Sequence, residues 1–487
     1  MNRGGKAMSE ERSIPEKTIS TGKNRWIRLI VCLTFYLVLC FVFGVQLCAD
    51  SNGYIRMDSA REPVYPLFLW TLRSIFGESR YLEVVILLQN LLMGVSVFWI
   101  TDEIGREFAL KEREIAVMIL FHFGVALLCQ FVAGRASVYP NSIMTEGIAM
   151  SMWLLFLTLL FRVVLYAKTK DMVMALILAA VMMDTRKQMA VGYIALLGSV
   201  ILAWIGRMTP KEYLKKTVVC LAGIIGSVVL AMAGTRLYNY ALRGNFAQNT
   251  RDMNLVLTTS LYVADPEDER LIEEETVREL FSKTMDALME SESNYSFAGK
   301  GWRNLQTHYA GHFDMITIDV TANGFIDYAV ERGFTPGMEA EQEADRMSTV
   351  IVKSLLADNL TTYVRIYLAN MAEGLINTVA KRHALLDWYA LFAYVAYLCL
   401  TIGCLCVKEC RKVGILGLAM FIAVFANVGV TAALIFCQTR YMIYNMAMFY
   451  SVGFVMAAVF FKYLSGQRRQ DNKGERKNRD TQMEKNL

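Results

Sequence analysis

Proline is scarce, with seven in 487 residues, and the one long polar stretch shows no period-two alternation. Together these exclude a β-rich module, which needs alternating strands punctuated by turn residues. Cysteine is missing from the same polar stretch, Leu237 to His383. All ten cysteines lie inside apolar runs or at their ends, so a disulfide framework or zinc site in the polar region is excluded. Cys404, Cys406 and Cys410 sit in an apolar setting with no histidine nearby and read as packing. No cleavable leader is expected either. The first 25 residues are polar, and the apolar run after them is too long and has no small-residue cleavage site, so it is expected to stay as a spanning helix. No internal repeat is visible.

What is present is apolar sequence: 55% of residues, with a mean hydropathy of +0.34, against about 45–50% in soluble globular chains. The net charge of +5 is concentrated at the ends of apolar runs and in the C-terminal tail, a pattern of membrane orientation rather than nucleic-acid binding. The expected fold is an all-α polytopic membrane protein with about ten spans: 27–48, 82–101, 114–132, 145–165, 171–184, 190–206, 217–235, 386–407, 413–436 and 446–463. The fifth is short. Met172 to Met183 covers only roughly 18 Å of an apolar core about 30 Å thick, so one alternative is a single crossing over 171–206. Two crossings gather the basic clusters at 23–25, 106–113, 162–170, 207–216 and 408–412, and the tail after Lys462, on one side. A single crossing exports the 207–216 cluster. The positive-inside pattern favours two, placing both termini in the cytoplasm of a cell-membrane protein. The turn Asp184 to Gln188 is then expected to be sunk below the outer surface, lining a cavity.

The expected organisation is an N-terminal tail (1–26), a first membrane module (27–236) with its first outer loop at 49–66, and an extracytoplasmic, mainly helical domain (237–383). The last spans (384–463) and a basic, disordered tail (464–487) follow. Within the polar domain, amphipathic helices are expected at 268–290, 337–357 and 360–379.

The stretch Asp50 to Trp70 stands out. It follows the charge-free run Leu29 to Cys48, so Asp50 emerges at one membrane surface, and it carries Asp58, Arg61 and Glu62 before Pro63 and Pro66 open a new helix. The same face collects Arg135, Tyr139, Glu146, Arg186, Lys187, Arg440 and Tyr441 from other loops. Glu146 and Arg186 are recessed and costly without partners. Carboxylates on one wall and arginines on another suit an anionic substrate with a neutral reacting group. Arginine forks hold phosphate oxygens, while a carboxylate deprotonates an attacking hydroxyl or holds a divalent ion such as Mg or Mn. His308 and His312 in HYAGH have i, i+4 metal spacing, with Asp314 close, but lack a general-base glutamate. Trp302, Tyr309 and Phe313 nearby read either as contacts to an acceptor sugar or as domain core. Asn294 and Asn359 head glycosylation sequons.

The order of motifs is D-S-x-G-Y-x(6)-R-E-P-x-Y-P-L-F-L, then Y-P-N-S-x-x-T-E, T-R-K-Q and T-R-Y. It resembles the GT-C superfamily of membrane glycosyltransferases, especially bacterial relatives of protein mannosyltransferases and of the lipid A aminoarabinose transferase. The resemblance covers about 27–235 and 386–463. It implies an enzyme that moves a sugar from a polyprenyl-phosphate donor to an acceptor glycan, lipid or protein hydroxyl at the outer face, with inversion. Asp50 takes the position of the catalytic acid, with Asp58 as an open second carboxylate and Glu146 as the second-loop acid. Arg186 and Arg440, joined by Lys187 and Arg135, are assigned to the donor phosphate. Tyr54, Arg61, Glu62, Tyr65, Tyr139 and Tyr441 are assigned to substrate, and Asp50 is a candidate metal anchor. A lipid-linked-sugar translocase or an oligosaccharide polymerase is the alternative; the first predicts polar groups threading the membrane midplane and a path open to both sides, and the second has little need for the acid at the end of the first span.

Overall fold

The computed structural model describes the backbone of residues 22–132, 138–381 and 383–485. It is all helical, with no strand among the described residues. In chain order the helices are α1 (Gly22–Phe43), α2 (Ser51–Ile55), α3 (Val64–Phe76), α4 (Tyr81–Glu107), α5 (Glu112–Val132) and α6 (Glu146–Tyr166). Then come α7 (Thr169–Met183), α8 (Val191–Trp204) and α9 (Pro210–Arg243). The polar insertion contributes α10 (Asn254–Val263), α11 (Glu275–Glu290), α12 (Trp302–Asp314), α13 (Gly324–Glu331), α14 (Met338–Leu355) and α15 (Leu360–Val379), and the chain ends with α16 (Ala384–Cys406), α17 (Arg411–Leu434) and α18 (Thr439–Lys485).

Eight helices among the described residues are long and apolar enough to cross a membrane: α1, α4, α6, Lys187–Trp204 containing α8, α9, α16, α17 and the Thr439–Gly466 part of α18. The other two expected spans form α5, which opens with Glu112, Arg113 and Glu114, and α7, which has only 15 residues. The α7–α8 pair doubles back. Arg162 near the end of α6 pairs with Asp171 at the start of α7 (3.2 Å). Arg207, just past α8, donates to the carbonyls of Val164 and Leu165 at that same end (2.7 and 3.1 Å). The turn between the two helices therefore lies at the opposite end of the bundle.

That basic end is laced together by ion pairs. Asp102 of α4 is enclosed by Arg28 (2.6 Å), Arg25 and Arg106 (3.1 Å each). Arg28 also reaches Glu112 of α5 at 2.7 Å, and Lys412 of α17 reaches Glu107 of α4 at 3.0 Å. A buried carboxylate is tolerated because three guanidiniums share it. The bundle is centred on α6, whose side chains, including Trp153, Phe156 and Leu157, are almost all enclosed. Trp153 Nε1 donates to Asn445 Oδ1 of α18 at 2.9 Å. In lipid such packing and polar ties, rather than the hydrophobic effect, hold helices together.

Two boundaries differ from expectation. α9 runs on through Leu237 to Arg243, because 236–243 holds good helix formers. It stops at Gly244, whose φ of +70° and amide bond to Tyr240 O make a left-handed C-terminal cap. The basic tail, expected to be disordered, instead continues α18 to Lys485. It contains no proline to interrupt the helix. The polar insertion forms a cap with its own core, built from Tyr262, Phe281, Tyr309, Phe313, Phe325 and Ile351. Tyr309 and Phe313 thus belong to that core.

Candidate functional site

The site begins with a staple. The loop before α6 ties down the end of α1: Asn141 Nδ2 donates to the carbonyls of Leu39, Cys40 and Gly44 (2.8–3.2 Å). Gln46 exchanges backbone hydrogen bonds with Asn141 and Ile143. Ser51 Oγ donates to Ile143 O at 2.8 Å. Below, Gln89 and Asn90 of α4 donate to Pro140 O at 3.0 and 3.1 Å. The polar groups of the Y-P-N-S motif and of mid-helix Gln89 and Asn90 therefore saturate an irregular backbone, as a buried loop requires. The loop in turn fixes Asp50 and α2.

At the centre, Asp50 Oδ1 accepts from Arg61 Nη2 at 2.9 Å. Behind it, Glu146 at the first turn of α6 accepts on Oε1 from Arg186 Nη1 at 2.8 Å, in the favourable field of a helix N-terminus. Thr145 Oγ1 joins the two pairs: it lies 3.1 Å from Arg186 Nη1 and 3.4 Å from the Tyr54 hydroxyl. Arg61 covers the Tyr54 ring at 4.6 Å. Arg186 and Arg440 both approach the Tyr441 ring, their guanidinium carbons 5.0 and 4.7 Å from its centre, and its hydroxyl accepts from Arg440 Nη2. The Asp50 side chain is 40% exposed and that of Glu146 only 3%. Asp50 is therefore the carboxylate a solute can reach, and Glu146 is the anchor that holds Arg186.

Burial alone would raise the Asp50 carboxyl. The charge and hydrogen bond of Arg61, with Arg440 and Arg186 beyond it, hold it below its ordinary value instead. Asp50 thus stands ionised and surrounded by positive charge. Two carboxylates face three guanidiniums, and each carboxylate is already engaged by an arginine. That donor set does not fit a resident divalent cation, and no cluster of three or more metal-ligating side chains occurs among the described residues. It fits an incoming anion.

The remaining expected residues fall into place around this centre. Asp58 and Arg61 both lie over Gly53: a Cβ there would stand 3.0 Å from Asp58 Oδ2 and 2.9 Å from Arg61 Nε, so a side chain at this position would push both tips aside. Tyr65 is fully buried and donates to Gln89 Oε1 at 3.0 Å, serving as floor beneath Tyr54. Lys187 turns away to pair with Asp252 of the cap. Glu62 is half-buried in the field of Lys187, its carboxyl pushed up by burial. Arg135 lies outside the described residues.

In the turn 184–188, Arg186 pairs with Glu146 and lies over the Tyr441 ring, while Thr185 is buried and Lys187 exposed. Val64 N donates to Asp184 O (3.0 Å), and Gln188 Nε2 donates to Thr431 Oγ1 of α17 (2.9 Å). His308 carries no metal geometry: its ring nitrogens face the Tyr262 hydroxyl (2.9 Å) and Glu292 O (3.1 Å). Asn294 is buried and donates to Tyr262 O and Ala264 O.

Thr145, Gln188 and Tyr444 are site residues that sequence reasoning passed over. Tyr444 lies one helical turn from Arg440, so the i, i+4 spacing within T-R-Y-M-I-Y-N is the signal that finds it. The hydroxyls of Tyr139 and Tyr444 and Arg440 Nε are buried and find no hydrogen-bond partner among the described residues. Such groups are costly unless something supplies their bonds. Further along α18, a groove of about 630 Å³ opens against α16 and α5, lined by aromatic side chains including Phe121, Trp388, Phe392, Phe449 and Phe454.

At the rim, Asp345 of α14 accepts from Arg251 N at 2.8 Å. Burial nevertheless pushes its carboxyl up to about 6, with Lys187 opposing the rise and Glu341 adding to it. A carboxyl raised above its unfolded value of about 3.9 contributes stability in full below that pH and loses it as pH rises through the folded value. Asp345→Asn keeps the acceptor oxygen and removes the titration. The variant is expected to match the parent near pH 4 and to exceed it by on the order of 1 kcal/mol at pH 7.5, read as thermal midpoints across pH.

Comparison with protein-family models, with curated proteins and with solved structures finds no match.

Proposed function

We propose that this chain is an integral-membrane glycosyltransferase that moves a sugar from a polyprenyl-phosphate donor to an acceptor hydroxyl, with inversion. The observation that carries the reading is a part-exposed carboxylate, Asp50, paired with Arg61 and in the field of Arg186 and Arg440 at one end of a bundle of apolar helices. The Asp50 carboxylate takes the proton of the acceptor hydroxyl as its oxygen attacks the anomeric carbon. The bond from that carbon to the phosphate oxygen breaks, and the leaving phosphate gains one negative charge. Arg186 and Arg440 stabilise that charge where it develops. Glu146 keeps Arg186 charged and aimed, and the T-R-Y tyrosines complete the anion site. The aromatic groove on α18 begins about 14 Å from Arg440 at 1.5 Å per residue and offers an apolar berth for the prenyl chain. The opposite end of the bundle carries the basic clusters, so that end faces the cytoplasm and the site faces outward.

Mass spectrometry of surface glycans and polyprenyl lipids from cells with and without the gene tests this. The expected result is loss of one sugar modification and accumulation of its lipid-linked donor. Unchanged profiles in both pools would overturn the reading. Within it, Tyr444→Phe removes one hydrogen bond to a charged oxygen, worth about 1.5 kcal/mol, and is expected to weaken donor binding about tenfold. Titration of the purified protein in nanodiscs with a polyprenyl phosphate checks this.

A further inference from the structure

The first loop is gripped from the cap as well as from the bundle. Glu341, in the first turn of α14 and buried, accepts on Oε2 from Ser59 Oγ at 2.7 Å and from Thr250 Oγ1 at 2.6 Å, and on Oε1 from Arg251 Nη2 at 2.8 Å. Thr250 N donates to Ser59 O at 3.2 Å, and Arg243 at the end of α9 donates to Met57 O. Burial by itself would raise the Glu341 carboxyl, but these donors hold it below its ordinary value, so the grip is charge-assisted. Met57 has a φ of +58°, a left-handed conformation uncommon for a side chain of its kind and sustained only when its surroundings enforce it. Segment 57–61 is therefore bent at one point and clamped on both sides of the bend. Two residues after Ser59 comes Arg61, the partner of Asp50.

We infer that the cap works as a clamp on the first loop, with Glu341 as a positioning residue that sets Arg61 against Asp50 through Ser59. This rests on reading Asp50 as the reacting carboxylate. The clamp spans 282 residues of sequence and joins an element with no other visible role in the chemistry to the loop that carries it. Releasing Ser59 frees the bend at Met57 to relax. Arg61 then leaves Asp50, and the carboxylate loses both its orientation and its nearest positive charge. Misplacement by about 1 Å is enough to cost on the order of a hundredfold in rate.

The test uses full-length protein in nanodiscs. Glu341→Ala is expected to speed amide hydrogen exchange over residues 57–62 about tenfold, the loss of one charge-assisted bond, while leaving 138–146 unchanged. It is expected to lower kcat by about 10- to 100-fold with the donor KM held within about twofold. Ser59→Ala should shift both readouts in the same direction, and Ser59→Thr, which keeps the hydroxyl, should restore them. That rescue separates positioning from general destabilisation, and the Ser59 pair carries the test if Glu341→Ala does not fold. Unchanged exchange over 57–62, or faster exchange with unchanged kcat, overturns the inference. If the parent protein transfers no sugar, the proposed activity falls, and exchange over 57–62 alone decides whether the clamp exists.

Discussion

Asp50→Asn is expected to abolish sugar transfer while leaving insertion, folding and donor binding in place. The substitution is nearly isosteric, and its side-chain oxygen still accepts from Arg61, so the 2.9 Å contact survives as a neutral hydrogen bond. What is lost is the negative charge that takes the acceptor's proton. General-base contributions of this kind are worth about 10²- to 10⁴-fold. Because Arg61, Arg440 and Arg186 hold the Asp50 carboxyl below its ordinary value, the parent enzyme should keep its base ionised down to acid conditions. Its pH–rate profile should show no acid limb from this group above about pH 4. Transfer retained in Asp50→Asn, assayed with a polyprenyl-phosphate sugar in nanodiscs, would remove Asp50 from the chemistry. It would also move the balance toward a polymerase, which has little need for this acid.

The second large effect concerns the buried pair. Glu146→Leu leaves the Arg186 guanidinium enclosed without its 2.8 Å carboxylate partner, and Arg440 lies near enough to share the Asp50 carboxylate's field and repel it. An orphaned buried charge costs about 3–5 kcal/mol, whereas replacing both members by apolar residues of similar size is often near neutral. Glu146→Leu is accordingly expected to lower the thermal midpoint sharply. Glu146→Leu combined with Arg186→Met should recover most of the loss and remain inactive, because the donor phosphate has lost its main ligand. Thermal unfolding in detergent alongside the transfer assay reads both. A single variant as stable as the parent would mean that Glu146 does not hold Arg186 in the folded protein. Arg186→Lys is no substitute for the parent, since one ammonium replaces a fork that both pairs with Glu146 and stacks on Tyr441.

These two experiments also mark how far the sequence could be read. The apolar runs marked eight of the helices that are long and apolar enough to cross a membrane, because hydropathy over about 20 residues is a local property. Alternation of crossings, with basic residues kept to one side, was enough to put Asp50, Glu146, Arg186 and Arg440 at a common end. Three of the cap's helices followed from local periodicity too, α14 and α15 close to their expected spans and α11 over the second part of its own, while α10, α12 and α13 were not foreseen. Where local rules met an unforeseen cap they slipped, as at Gly244, which lets α9 run past the apolar segment.

What a linear reading could not supply was partnership. The spacing of Asp50, Asp58, Arg61 and Glu62 leaves open which acid meets which base. Only the fold shows Arg61 reaching back across Gly53 to Asp50, with Asp58 pressed against the same glycine. The Y-P-N-S motif divides in the same way: Asn141 and Ser142 belong to the backbone staple, while Thr145 and Glu146 face the site. Tyr444 gains significance only because α18 packs on α6 through Asn445 and Trp153.

The sequence by itself determined that the molecule is built on long apolar helices, where most of them lie to within a few residues, and the end at which the charged loops gather; of ten expected spans, eight are long and apolar enough to cross among the described residues. The tertiary structure decided which carboxylate is open and which is sealed, which arginine each one holds, and that Glu341 of the cap grips the loop beside Asp50. The physical reason is range. Helix formation and membrane partition sum over neighbours along the chain, whereas desolvation, ion pairing and close approach depend on side chains tens to hundreds of residues apart, which only packing brings within 3 Å of one another.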